Sequence, residues 1–249
     1  MSRIFITGDC HGDIDLKKIK TFKKGIGKTL TKEDYLIIAG DFGLIWFGDK
    51  QDKNLMKWWE KCPWTTLFID GNHENYTLLK QYPIVDFCGG SAQQISPSIY
   101  HLMRGQIYTL NKYRFFTFGG AESVDRAYRI ENYSWWKDEL PTIEEITAGL
   151  EKCKEYDYDV DYIICHACPH YIRDGLWQSH FTDSTDEKIE IVYGDNYRTI
   201  ETALDIFYKE LNYKRLYFGH YHIDREVRGA RCLFNNIYEI LPSGDQFVQ

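Results

Sequence analysis

The sequence predicts an α/β fold of layered sheets and helices. Three observations predict it. Short apolar runs recur along the chain, and each stops at a polar turn, usually one containing glycine. Helical patterns lie between several of these runs. Through residues 95–119 the runs follow one another with no helix between them. Strands alternating with helices build layered α/β proteins, and the helix-free stretch predicts a second, partly antiparallel sheet.

Taken in order, "RIFIT" stops at "GDCHGD", and residues 13–24 then carry a helical pattern. "YLIIA" stops at "GDFG", with a second helical pattern over 52–61 that contains "NLMKWWE". "TLFID" stops at "GNHEN", and "YRFFTF" at "GGAES". Residues 142–156 open with Thr142 and Glu145 at the spacing of a capping box. "DYIIC" runs into "HACPH", after which residues 170–195 read as a long irregular loop. Over 196–211 a helical stripe carries Ile200, Ala203, Leu204, Phe207 and Leu211. "RLYF" then stops at "GHYH". The runs are apolar on successive residues, the pattern of strands buried on both faces. With no repeat, linker or low-complexity segment, and polar turns spread from residue 8 to residue 222, residues 1–249 are expected to form one domain.

Composition narrows the partners. Lys plus Arg number 30 against 37 Asp plus Glu, a net charge of −7, which argues against a protein that wraps long nucleic acid. The seven cysteines are scattered and odd in number, so they are expected to be reduced, as in a cytoplasmic protein. The start, "MSRIFITGDC", lacks the apolar stretch of a signal peptide, and no run is long enough to span a bilayer.

The turns carry the chemistry. They collect Asp9 and His11, then Asp41, then Asn72 and His73, then His166, then His220 and His222. Ligands of open α/β sheets bind beyond strand ends, so these groups are expected to converge. A carboxylate, amide and imidazole set suits Mn²⁺, Fe or Zn²⁺. Asp-x-His and His-x-His are alternating spacings, expected to put both side chains of each pair on one face. Gly8, Gly40, Gly71 and Gly219 each directly precede one of these residues and are expected to allow a sharp turn and a close approach. These donors exceed the need of one ion, so two cations sharing a bridge is the economical arrangement.

In their order, "GDCHGD", "GDFG", "GNHEN", "CHACP" and "GHYH" resemble the calcineurin-like metallophosphoesterase superfamily, whose pattern is D-x-H, G-D, G-N-H-[D/E], H and G-H-x-H. The resemblance spans residues 8–222 with all five blocks intact. It implies a two-sheet β-sandwich flanked by helices, with a dinuclear site at the strand ends. It implies one metal held by Asp9, His11 and His222, a second held by Asn72, His166 and His220, and Asp41 as the bridge. Mn²⁺ is the expected metal, with Fe or Zn²⁺ as alternatives. The implied reaction is hydrolysis of a phosphomonoester or phosphodiester by a hydroxide bridging the two ions, with His73 protonating the departing oxygen rather than binding metal. The expected substrate is a nucleotide or other small phosphoester. The alternative is a fold-retaining scaffold without activity, but such a protein is expected to have lost ligands, and none is missing.

The second block departs from the protein Ser/Thr phosphatase branch. That branch has G-D-x-x-D-R-G, where this chain has Leu44 and Ile45 in place of the second Asp and the Arg. Other cations must then hold phosphate, with Arg104, Arg126, Arg129 and Arg173 as candidates and Asp125 as a candidate support for His73. Tyr128, Tyr133, Trp135, Trp136 and Trp177 are candidates for stacking a base. "GIGKT" at 25–29 lacks the P-loop's first glycine, which would be Phe22, and "CHAC" at 165–168 lacks the second pair that a zinc site needs.

Overall fold

In a computed structural model of the chain, residues 2–177 and 199–249 are described. The N-terminal half alternates as expected. Strand β1 (Ile4–Thr7), helix α1 (Leu16–Lys24), β2 (Tyr35–Ile38), α2 (Lys50–Glu60) and β3 (Thr65–Phe68) follow in turn. The three strands pair in parallel. Helix α1 starts three residues later than its sequence pattern, because residues 11–15 are spent on the turn that carries His11. Asp49 caps α2 by accepting the N–H groups of Gln51 and Asp52. A short helix, α3 (Tyr76–Leu79), follows "GNHEN" and is capped by Asn75.

Residues 84–118 form β4 (Ile84–Phe87), β5 (Gly90–Ser96), β6 (Ile99–Leu102), β7 (Gln106–Leu110) and β8 (Tyr113–Phe118). The expectation that residues 95–119 lie together in a second sheet is corrected here. The break falls at the turn after β6. β4, β5 and β6 extend the first sheet, whereas β7 and β8 begin the second. β6 pairs in parallel with the buried β3 on one side and antiparallel with β5 on the other.

The second sheet is completed by β9 (Tyr162–Cys165), β10 (Arg215–Phe218), β11 (Arg225–Val227) and β12 (Ala230–Cys232). The chain then returns to the first sheet with β13 (Tyr238–Leu241) beside β1 and β14 (Gly244–Phe247) at the edge. Three more helices pack on this half. α4 (Ile143–Glu155) has the expected Thr142–Glu145 capping box, and α6 (Ile200–Glu210) buries the expected stripe. The third is α5 (His170–Trp177), which corrects the expectation of a loop over 170–195. Ile172 and Leu176 are one helical turn apart and fully buried, and the Asp205 carboxylate accepts the first N–H, that of His170. The remainder of that expected loop, and the side chain of Trp177, lie outside the described residues.

Three apolar clusters define four layers. Ile6, Ile37, Leu67, Phe115, Ile164 and Tyr217 fill the space between the two sheets. Phe5, Ile19, Phe22, Leu36 and Trp59 join the first sheet to α1 and α2. Phe116, Ile163, Leu204, Phe207 and Leu216 join the second sheet to α4, α5 and α6. Each such side chain contributes roughly 1.5–3 kcal/mol by leaving water. The fold is thus a two-sheet β-sandwich flanked by helices. The C-terminal ends of β1, β2, β3, β9 and β10 all open at one edge of it, which is where the polar turns lie.

Candidate metal centre

The polar pairs are aimed by left-handed backbone rather than by strand alternation. β1 ends at Thr7 and β10 at Phe218, so neither pair lies within a pleat. Instead His11, Asp41, His220 and His222 have φ of 44°, 48°, 68° and 51°. Such angles are uncommon for residues with a side chain and cost of order 1–3 kcal/mol each. The cost is offset by backbone ties: the N–H groups of Cys10 and His11 both donate to the Asp41 carbonyl, at 2.8 and 2.9 Å. Two glycines are sterically required. A Cβ on Gly40 would lie 2.1 Å from His166 Nδ1, and one on Gly71 would lie 2.1 Å from Asp41 Oδ1.

Asp41 is at the middle of the cluster. Its Oδ2 faces His11 Nε2 at 3.2 Å, and its Oδ1 faces His166 Nε2 at 3.2 Å. The N–H of His73 donates to Oδ1 at 2.7 Å. Asp9 lies 3.6 Å from His222 Nε2 and 4.0 Å from His166 Nε2 through its Oδ1. The N–H of His220 donates to both Asp9 oxygens. Ligand atoms of Asp9, His11, Asp41 and His222 all lie within 4.8 Å of one another. On the other side of Asp41, the rings of His166 and His220 are 5.2 Å apart. Asn72 is buried, and its Oδ1 has no hydrogen-bond partner.

The protonation pattern fits a cation. His166 Nδ1 donates to the Ala39 carbonyl at 2.8 Å, and His11 Nδ1 donates to Asp15 at 2.7 Å. Each ring therefore spends its N–H away from the centre and turns a lone pair inward, as metal-binding imidazoles do. A lone pair 3.2 Å from a carboxylate oxygen is unfavourable unless positive charge lies between them. Without a metal, protons supply that charge. Burial alone would lower His166, but the Asp41 and Asp9 carboxylates raise it to about 9. Burial pushes Asp9 up to about 7. Burial opposes ionisation of Asp41 too, yet His166 and His11 hold it well below the usual carboxylate range. Burial and the neighbouring His166 take His220 down to about 3, leaving it an unprotonated donor. No thiol joins the set, since Cys10 is turned into the core behind the turn and Cys165 and Cys168 lie in the core around the second sheet. Oxygen and nitrogen donors of this kind fit Mn²⁺, Fe or Zn²⁺.

His73 borders the cluster, its ring 5.2 Å from that of His11 and 6.2 Å from Trp46. Burial lowers its pKa, and the charges of His11 and Arg129 lower it further. Arg129 is held by Asp125 at 2.7 Å and by the Ser134 carbonyl at 3.0 Å, so Asp125 pairs with Arg129 rather than with His73. Arg104 is not available to phosphate. It is buried against Asp70 and also binds Tyr76 and the Asp138 carbonyl. Arg126 pairs with Glu122, and Arg173 with Asp174 and Glu201. Trp136 is fully buried against Trp46, Trp135 is half-buried, and Tyr128 and Tyr133 are exposed. Leu44 and Ile45 are buried core, which accounts for the missing Asp and Arg of the second block.

Sequence reasoning missed four supporting residues. Asp15 orients His11 from four residues on, a spacing that was readable. It occupies the N-cap position of α1 without capping it, because its carboxylate is turned to His11. Lys18, buried on α1, donates to the carbonyls of Gly8, Asp9 and Phe234. Phe234 stacks on His222 at 4.7 Å, and Asp224 fixes the loop that carries it by accepting from residues 234, 235 and 236. No local pattern marks these last three. Glu74 accepts from the N–H groups of Phe42 and Gly43 and so holds the Asp41 turn.

The profile described as calcineurin-like phosphoesterase matches residues 2–224. Lariat debranching enzyme A of Xenopus laevis is 26% identical over 190 residues, 68% of this chain and 34% of that protein. The chain thus spans about a third of the length of that curated relative. One solved crystal structure superposes with a TM-score of 0.51 over 99% of this chain and 98% of its own, at 11% identity, a likeness of fold alone. A Staphylococcus aureus structure, named as a candidate 5'-nucleotidase in complex with α-ketoglutarate, gives 0.46 over 99% of this chain and 52% of its own, at 12% identity.

Proposed function

This chain belongs to the calcineurin-like phosphoesterase family, and on that premise we propose that it is a hydrolase that uses two divalent cations to cleave a phosphomonoester or phosphodiester. The observation that carries the proposal is the Asp41 carboxylate, which turns one oxygen to His11 and the other to His166 at equal distances of 3.2 Å. One donor set is Asp9, His11 and His222, and the other is Asn72, His166 and His220, with Asp41 shared. Bound there, the cations supply Lewis acidity and a nucleophile from water at neutral pH.

The chain's own residues do the rest. Asp15 and the Ala39 carbonyl hold the Nδ1–H groups of His11 and His166, so that each Nε2 faces the centre, where a bound cation would take the place of a proton. Glu74 and Lys18 hold the turns that carry Asp41 and Asp9. His73 stands beside both without entering either set and serves as the acid that protonates the departing oxygen. Trp46 forms an aromatic wall next to it, backed by the fully buried Trp136. A nucleotide or other small phosphoester fits a site with that wall on an acidic chain. Mn²⁺ is the proposed metal.

The test is hydrolysis of p-nitrophenyl phosphate and bis-p-nitrophenyl phosphate by metal-free protein reloaded with Mn²⁺, Fe²⁺ or Zn²⁺. Activity that depends on metal and is abolished in Asp41→Asn is expected. A reloaded protein that cleaves neither compound, nor a broader phosphoester panel, would instead be a scaffold.

A further inference from the structure

The net charge of −7 conceals a basic face. Helix α1 carries five lysines and no carboxylate, and α2 carries three lysines with Asp52 and Glu60. Asp52 is not a counter-charge, because its buried carboxylate accepts the N–H groups of Trp46, Phe47 and Gly48. Lys18 points inward, but Lys17, Lys20, Lys50, Lys53 and Lys57 are exposed, and among the described residues none of these five has a carboxylate within ion-pair distance. Between the two helices runs a groove of about 490 Å³, with Leu16, Leu55 and Trp58 in its wall and Lys20, Lys50 and Asn54 among its polar lining. That size holds one or two nucleotide units.

The groove adjoins the turn that carries His11. Asp13, two residues past His11, is part of its lining, and a Cβ on Gly12 would lie 3.8 Å from Leu55 Cδ2, another lining residue. An apolar wall with unpaired ammonium groups suits a ligand that alternates rings with phosphates. We propose that the groove between α1 and α2 binds the flank of a single-stranded oligonucleotide whose scissile phosphodiester lies at Asp41. This rests on the phosphoesterase reading and narrows its substrate from a lone nucleotide to a short strand. Lys20 and Lys50 contact flanking phosphates, and the ring between them rests on the apolar wall.

The experiment separates groove from centre. Binding of a fluorescein-labelled hexathymidylate is followed by anisotropy in EDTA across a salt series, for the wild-type chain and for Lys20→Glu/Lys50→Glu and Lys20→Gln/Lys50→Gln. Turnover of bis-p-nitrophenyl phosphate with Mn²⁺ is measured in parallel. The expected result is at least about tenfold weaker hexathymidylate binding in the charge-reversed variant. Its salt slope is expected to be shallower by about 1.4, from two lost single-strand phosphate contacts at ~0.7 each, with turnover unchanged. Equal affinity and slope in all three proteins overturn the groove assignment, as does equal displacement by polyglutamate. Absence of turnover in the wild type, with the binding difference intact, overturns the phosphoesterase reading and leaves the groove standing.

Discussion

Asp41 has one carboxylate and two sets of neighbours, and the residue-scale predictions follow from that arrangement. Asp41→Asn removes the charge between His11 and His166, so loss of bound metal and of activity is expected together. His73→Asn leaves both donor sets intact, so metal content should hold while turnover falls by about 10²–10⁴-fold, the range for a lost general acid. Asp15 touches no donor atom of the centre except through His11. Outer partners of this kind typically matter about 10–100-fold in metal affinity, so Asp15→Asn should weaken Mn²⁺ binding by that amount in a chelator-competition titration. An unchanged affinity would mean that His11 is oriented by its backbone turn alone. The proposed donor residues and His73, which the fold brings together, were legible as residue types in turns. Their aim was not, because four of them depend on left-handed φ rather than on strand pleat.

At the scale of elements, the sequence was clearest where apolar runs stop abruptly. The strands β1, β2, β3, β8, β9 and β10 lie where those runs are. Periodicity placed α4 and α6 because capping and stripe agree. It failed at α5, where Pro169 and polar residues mask a single buried face of Ile172 and Leu176. It also failed at β13 and β14: β13 pairs with β1, which lies more than 200 residues earlier, and β14 pairs with β13. No local signal encodes such a pairing. Arg104, by type a phosphate-binding candidate, proves to be an internal tie between β3's exit at Asp70 and residues 138–139. Arg104→Met leaves the buried Asp70 carboxylate without its guanidinium partner, so a loss of about 3–5 kcal/mol is expected in urea denaturation. Asp70→Asn/Arg104→Met should recover much of that loss, since both charges are then gone. A single variant as stable as wild type would show that Tyr76 and His101 satisfy Asp70 by themselves.

For the whole molecule, the candidate metal centre is a joint between sheets. Asp9, Asp41 and Asn72 come from the first sheet and His166, His220 and His222 from the second. We propose that ligation there ties the layers together and that residues 1–249 unfold as one domain. A single calorimetric transition is expected, moved upward by Mn²⁺ in the wild type and far less in Asp41→Asn, because a ligand that binds only the folded chain stabilises it. Two separated transitions, with only one responsive to metal, would divide the chain into independent units. The most direct test of the central claim is anomalous diffraction from crystals of the protein grown with Mn²⁺. Two peaks roughly 3.5–4 Å apart are predicted, flanking the Asp41 carboxylate, one toward Asp9, His11 and His222 and the other toward Asn72, His166 and His220. A single peak, or none in contact with Asp41, would contradict the account.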